Sequence, residues 1–328
     1  MFTCSIPDAE DKIVTSETYH KNGSIKSISK YINGLKDGIY IEYFHNGLIK
    51  TQGHYINNEK HGEWVGYYDN GVIEYKKKYL NDRATDKWIH YYIDGSIKQE
   101  VSYMEGLKHG EYIRYDKKGK IISIKNYSDN LPNGEWVRYY DTGSIKSKKI
   151  YKNKLAHGEW LAYYPSGNIK YIKTYKNDIE DGKWIYYHQN GNLEKIENYK
   201  NGEKDSKWYI FFHTGKIKIE KTYNHNLANG LYVEYYNTGQ RKTQGNYKID
   251  QKVNEWLTYY PNGKIKEQVN YNNGVYDGNI TVYYSNGEVK YKGNWKNGKK
   301  NDIFEWYYEN GQLIEQVTYK DGIIDWIN

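Results

Sequence analysis

Glu255 to Tyr271 reads EWLTYYPNGKIKEQVNY, two stretches rich in Trp, Tyr, Ile and Val on either side of Pro-Asn-Gly. Strand-favouring residues flanking a short loop that ends in glycine mark a β-hairpin. Pro261, and Pro165 at the same place in YYPSG, select the loop. In a two-residue Asn-Gly turn the residue before Asn donates its N–H to the ladder, and proline has none. A three-residue loop instead puts proline at the second position of a type I turn and glycine in the left-handed conformation. Tyr260 then faces Lys264, and Tyr259 faces Ile265. Two-residue alternation expects Leu257, Tyr259, Ile265 and Tyr271 on one side of the sheet, with Trp256, Thr258, Tyr260, Lys264 and Lys266 on the other.

The hairpin is one copy of many. Glycine recurs at 23, 47, 71, 95, 119, 143, 167, 191, 215, 239, 263, 287 and 311, thirteen positions 24 residues apart without insertion or deletion. An aromatic stands four residues before each, Tyr except at Phe211, and another eight residues after, Tyr except at Trp295. These two columns hold 24 of the 41 tyrosines, so the composition is the repeat written out. A fixed period of this length is the signature of a repeat architecture.

The columns test the expected faces. The Leu257 column reads Ile41, Val65, Ile89, Ile113, Val137, Leu161, Ile185, Tyr209 and Val233 before it, then Thr281 and Glu305, and the Ile265 column is aliphatic except at Arg241. That side is expected to be the apolar one. The other side carries Trp64, Trp88, Trp136, Trp160, Trp184, Trp208 and Trp256, then an aromatic column with Tyr68, Tyr92, Tyr140, Tyr164 and Tyr260. Tryptophan and tyrosine are favoured anchors in interfaces, so these twelve residues are the candidate interaction face, with packing along the sheet as the plainer reading.

The second connection, YINGLKDGIY at 31–40 or YKNKLAHGEW at 151–160, reads as longer, Gly- and Asn-rich, and turns the chain into the next hairpin. The expected fold is all-β: an elongated, twisted, single-layer antiparallel meander of about 13 tandem 24-residue hairpin repeats. At ~4.8 Å per strand it would run roughly 125 Å. Residues 1–14 precede the array, which occupies 15–328. An open sheet has two free edges. The segment GIIDWIN at 322–328 leaves three readings open: an edge cap, a pairing edge for a second copy in self-association, or a truncated repeat.

Bulk composition agrees. Only 38% of residues are apolar, too few for a thick core, while 17% are aromatic, too many for disorder. Forty-eight basic and 41 acidic side chains give +7, scattered through every repeat. Single Cys4 forbids an intramolecular disulfide, and MFTCSIPDAEDK lacks an export signal, so a cytoplasmic location is expected. No apolar run approaches the length of a membrane-spanning helix, and no integral membrane segment is expected.

At this point the residues carry a likeness. Each copy fits YxNGxxxGxWxxYYxNGxIKxxxxY, as in Tyr31-Ile32-Asn33-Gly34 through Gly38 and Tyr43 to Lys50. The pattern resembles the variant MORN repeat gathered in bacterial proteins of the YwqK-type toxin–antitoxin antitoxin family, and it spans roughly residues 15 to 325. The resemblance implies a non-enzymatic, protein-binding array whose partner would be a toxin. Asp86, Ser206, Asn254 and Asp302 depart from it, standing where Gly38, Gly62 and Gly110 sit, and those second turns are expected to differ locally.

Catalytic chemistry is not in view. There is no phosphate loop, no HExxH and no CxxC, and no catalytic residue, cofactor or metal site is expected. His61, His109 and His157 share one repeat position, but neighbours two repeats apart would lie about 19 Å from each other, far beyond a shared ion. The column Lys26, Lys50, Lys98, Lys146, Lys170, Lys218, Lys242, Lys266 and Lys290 with adjacent aromatics could suit single-stranded nucleic acid. Glu74 and Glu194 interrupt it, and the expectation is a solvated face rather than a nucleic-acid site. The alternative to protein binding is a module for glycans, cell wall or lipid head groups built on the aromatic columns.

Overall fold

A computed structural model describes residues 11–325. Cys4 and Trp326, singled out in the sequence, lie outside the described residues. All regular structure among the described residues is β-strand, from Ile13–Tyr19 to Ile323–Ile324. The chain divides into two units, Met1–His157 and Gly158–Asn328. Within each, strands pair antiparallel with their neighbours in chain order, as Leu35–Tyr43 does with Ile25–Ile32 and Ile49–Ile56 in the first. Gln251–Tyr259 does the same with Arg241–Lys248 and Ile265–Asn272 in the second. This is the expected all-β meander of hairpin repeats.

The three-residue loop forms as read. Gly263 N–H donates to the Tyr260 carbonyl at 2.9 Å, and Tyr260 N–H to the Lys264 carbonyl at 2.8 Å. Pro261 therefore sits second in the turn, and Gly263 has φ +84°, where an L side chain is strained. Asn262 completes the loop by accepting the Lys264 N–H on its side-chain oxygen at 3.0 Å.

Beyond the loop the register departs from simple alternation. Tyr259 pairs with Ile265, but Thr258 pairs with Glu267, so Lys266 is an extra residue on its strand. A bulge of one residue exchanges the faces of everything after it. Tyr271, expected beside Leu257, accordingly lies on the Trp256 side, with their ring centroids 6.1 Å apart. Glu267 and Val269 move with it. The same shift recurs between Glu42 and Tyr43, Gly66 and Tyr67, and His90 and Tyr91.

The second connection is shorter than its sequence suggests. Ile32 pairs with Leu35 across Asn33-Gly34, whose φ values of 52° and 85° make a two-residue type I′ turn. The Gly/Asn-rich stretch reads as long because a second irregularity follows inside the strand. Gln244 pairs with Leu257 and Asn246 with Val253, leaving Asn254, Glu255 and Trp256 opposite Gly245 alone. Residue 254 has φ 58°, and the equivalent Asp86, Ser206 and Asp302 have 56°, 59° and 66°. The four departures from glycine thus keep a left-handed conformation instead of changing the turn, which Asn and Asp tolerate well and Ser206 adopts with them.

The bulge relocates the core. The deepest burial is on the tryptophan side, where Trp256, Val269, Ile280 and Phe304 form a buried cluster with Tyr232, Tyr247 and Tyr271 packed on it. The Leu257 side is also apolar, and Val137 and Val233 are buried there. The sheet's last described strand, Ile323–Ile324, folds back on Tyr319 and Lys320.

Candidate interaction surface

The tryptophan column is built by the wide bulge. At the three-against-one bulge one backbone carbonyl takes two donors: those of Asn126, Thr174 and Asn198 accept the N–H of Asn133, Asp181 and Asp205 at 3.0–3.2 Å. The indole N–H is the second donor, using the carbonyl's other lone pair. Trp64, Trp88, Trp136, Trp184, Trp208 and Trp256 each donate from Nε1 to the carbonyl ten residues earlier, at 2.9–3.2 Å. Where tyrosine takes the place, the hydroxyl points elsewhere, as Tyr112 donates to Gln99 Oε1 at 2.8 Å.

Two solutions pack the indole face. Opposite Trp64 and Trp256 stand Gly53 and Gly245, and a Cβ on either would lie 2.2–2.3 Å from the ring. In other copies the same position is Lys77, Lys125 or Lys173, whose Nζ lies 5.0, 4.5 and 4.2 Å from the centroids of Trp88, Trp136 and Trp184. Burial beside the rings lowers the pKa of all three lysines. The tyrosines of the repeat fill the gaps between indoles, with centroids 4.6–4.8 Å apart at Trp88–Tyr103, Trp136–Tyr151, Trp160–Tyr175 and Trp184–Tyr199. Trp64 and Trp256 are only 3% and 4% exposed. Within each unit the structure thus packs tryptophans against tyrosines, not into an open row of platforms.

The turn tyrosines join successive repeats. Tyr68, Tyr92, Tyr164 and Tyr260 donate their hydroxyls to the carbonyls of Tyr91, Tyr115, Tyr187 and Tyr283 at 2.8–2.9 Å. Tyr140 holds the same repeat position, with Lys146 Nζ 5.3 Å from its ring. A second set of joints lies at the two-residue turns. Asp82 donates its N–H to the Lys60 carbonyl at 3.0 Å and accepts the Lys60 N–H on its carboxylate at 2.8 Å. Asn130 and Asn226 hold Lys108 and Lys204 the same way.

The lysine column is engaged rather than free. Lys98, Lys146, Lys170, Lys266 and Lys290 lie 5.3–5.8 Å over the turn tyrosine of their own hairpin. Lys50 and Lys242 pair with Glu42 and Glu234, both at 2.9 Å. His61 and His109 contact Asn81 and Asp129 separately, each at 3.3 Å. Among the described residues no group of three or more His, Cys, Asp or Glu is arranged to hold a metal. No helix there is long and apolar enough to cross a membrane.

One surface escaped the sequence reading. Beside the two-residue turns, on the Leu257 side, one repeat position holds aliphatic side chains in several copies, with Glu59, Arg83, Glu203, Gln251 and Lys299 interrupting it. Leu35, Leu107 and Leu131 stay in solvent in the first unit, and Ile179, Leu227 and Val275 in the second, with Leu131 43% and Ile179 48% exposed. Leu80 and Met104 widen the row in the first unit. The column itself carries the signal, but a loop at that stretch assigns its residues to neither face.

The MORN repeat variant model matches residues 14–33, 36–57, 60–81, 108–129, 132–153, 156–177, 180–201, 204–225, 228–248, 252–273, 276–297 and 303–321. The gap at 82–107 holds the same strand–turn–strand unit, Arg83–Tyr91 and Ile97–Met104, with Asp86 in the glycine slot. No curated protein matches the chain. Among solved structures, the crystal structures titled TcdB2-TccC3 and TcdB2-TccC3-Cdc42 each align with 93% of this chain at 12% identity, with TM-scores of 0.18 and 0.19. The chain spans only 21% and 20% of their lengths. With twelve matched segments covering most of its length, each carrying the turn glycines and tyrosines whose geometry is described above, the chain belongs to the MORN repeat variant family.

Proposed function

We propose that this repeat scaffold is non-catalytic and binds a protein partner along its Leu257 side, at the aliphatic row beside the two-residue turns. The observation that carries the reading is that row: Leu107 and Leu131 in the first unit, and Ile179 and Leu227 in the second, are each left in water while Trp64, Trp184 and Trp256 are buried. Exposed apolar side chains set in line are what a protein interface covers. Between the row and the Ile column run pairs such as Lys87–Glu100 and Lys207–Glu220, both 2.8 Å, which give the surface a polar rim. The likeness to antitoxins supports a toxin as the partner. The aromatic columns serve by holding the surface rigid.

The test is co-purification of the full chain from its native host. A stoichiometric protein partner is expected, lost when Leu107→Lys and Leu131→Lys are introduced together. Recovery of no partner, or a partner indifferent to both changes, would sink the reading. A glycan, cell-wall or lipid-head-group module using the tryptophan column draws less support, since the rings of Trp64, Trp184 and Trp256 are buried. It would be revived by saturable quenching of tryptophan fluorescence with choline or glycans.

A further inference from the structure

Two copies of the repeat show how the bulged lysine is neutralised. Lys50 pairs with Glu42 and Lys242 with Glu234, each eight residues apart across the same hairpin. At the corresponding positions of a third copy stand Lys146 and Arg138, so the carboxylate has been replaced by a second cation. The preceding copy has Arg114 at the glutamate position and Ile122 at the lysine position.

Arg114, Arg138, Lys125 and Lys146 line one cleft of about 330 Å³ together with Ser123, and no carboxylate lines it. None of the four cations makes an ion pair among the described residues, whereas Lys50 and Lys242 of the sister hairpins do. Ser123 is 5% exposed. The crowding is felt electrostatically: burial lowers the pKa of Lys125, and Arg138, Arg114 and Lys108 lower it further. Like charges held together in a partly desolvated cleft are unfavourable until a counter-ion arrives.

We propose that this cleft is an oxyanion site for a phosphate-bearing ligand, with Arg138 and Lys146 gripping the anion where Glu42 and Glu234 place a carboxylate in sister hairpins. Arg114 closes the cleft from the neighbouring strand pair, and two guanidinium forks suit phosphate oxygens. Ser123 supplies a hydroxyl donor at the floor.

The test is calorimetric titration of the full chain with inorganic pyrophosphate at constant ionic strength. Saturable binding of one equivalent is expected. Arg138→Glu rebuilds the sister ion pair with Lys146, so that variant should keep its circular dichroism and melting temperature while losing roughly tenfold or more in affinity. Arg114→Gln gives a second, milder loss should Arg138→Glu fail to fold. Co-sedimentation with phosphatidylcholine vesicles containing phosphatidic acid separates the sources. Binding competed by pyrophosphate marks a membrane-borne phosphate, and binding of pyrophosphate alone marks a soluble one. Absence of saturable binding, suppression by chloride as readily as by sulfate, or equal affinity in both variants would overturn the proposal.

Discussion

The ring of Trp256 rests directly on the backbone of Gly245, at a distance that leaves no room for a methyl group. The glycine is required by its neighbour and not by its own backbone angles, unlike the turn glycines such as Gly263. Gly245→Ala should therefore destabilise the chain by about 1–3 kcal/mol, the usual cost of forcing a packed ring aside. Urea denaturation followed by tryptophan fluorescence measures it. The penalty should shrink when Trp256→Leu is combined with it, and an additive double mutant would refute direct contact as the cause.

Trp256→Phe keeps the stacking surface and removes the indole donor from the Asn246 carbonyl. A loss of about 0.5–1.5 kcal/mol is expected, the net worth of the one hydrogen bond removed. Hydrogen exchange should quicken locally around residues 244–257 more than at Tyr307. Uniform exchange across the unit would contradict this account.

Ile249 occupies the first position of a two-residue turn at φ 50° and is 61% exposed. A β-branched side chain there is strained, whereas Asn33, Asn57 and Asn81 fill the same position comfortably. Ile249→Asn should stabilise the chain by about 1 kcal/mol. A lower denaturation midpoint would show that Ile249 packs in some way that offsets the strain.

Partial burial raises Tyr79, Tyr199 and Tyr232 from 10.0 to about 12, with Glu197 adding to Tyr199 and Glu234 to Tyr232. In the folded chain these phenols stay protonated above pH 10, where those of the unfolded chain ionise. The unfolded state then binds fewer protons, so stability is intact below pH 10 and falls as pH rises toward 12. Absorbance titration should show a late-ionising class of phenols, and the melting temperature should decline over the same window. Tyrosines all ionising together near pH 10 would contradict it.

Period, hairpin and loop were legible because each is fixed locally: Pro261 lacks an N–H, Gly263 takes a left-handed angle, and 24 residues separate every copy. The faces were only half legible. Lys266 gives no chemical sign of being an extra residue, since a lysine fits a strand or a bulge equally well, yet it decides on which side Tyr271 lies. The Gly53, Gly245 and Gly293 column was the available clue, because a glycine inside a strand marks a bulge or the close approach of another group. The interaction face was the least legible part. Tryptophan reads as an anchor or as packing from composition alone, and only the bulge carbonyls show what the indoles are bound to.

The hydroxyl of Tyr260 reaches the carbonyl of Tyr283, and that of Tyr284 reaches Tyr307. Each bond joins residues 23 apart, a separation set by the period, and it recurs where the position is a tyrosine but not at Phe44, Asp116 or Phe212. Excising residues 261–284 would bring Tyr260 to the carbonyl of Tyr307 with the same chemistry on both sides of the scar. Where neighbouring copies both carry the tyrosine, as here, the array can consequently lose or gain one link without any joint having to be reinvented.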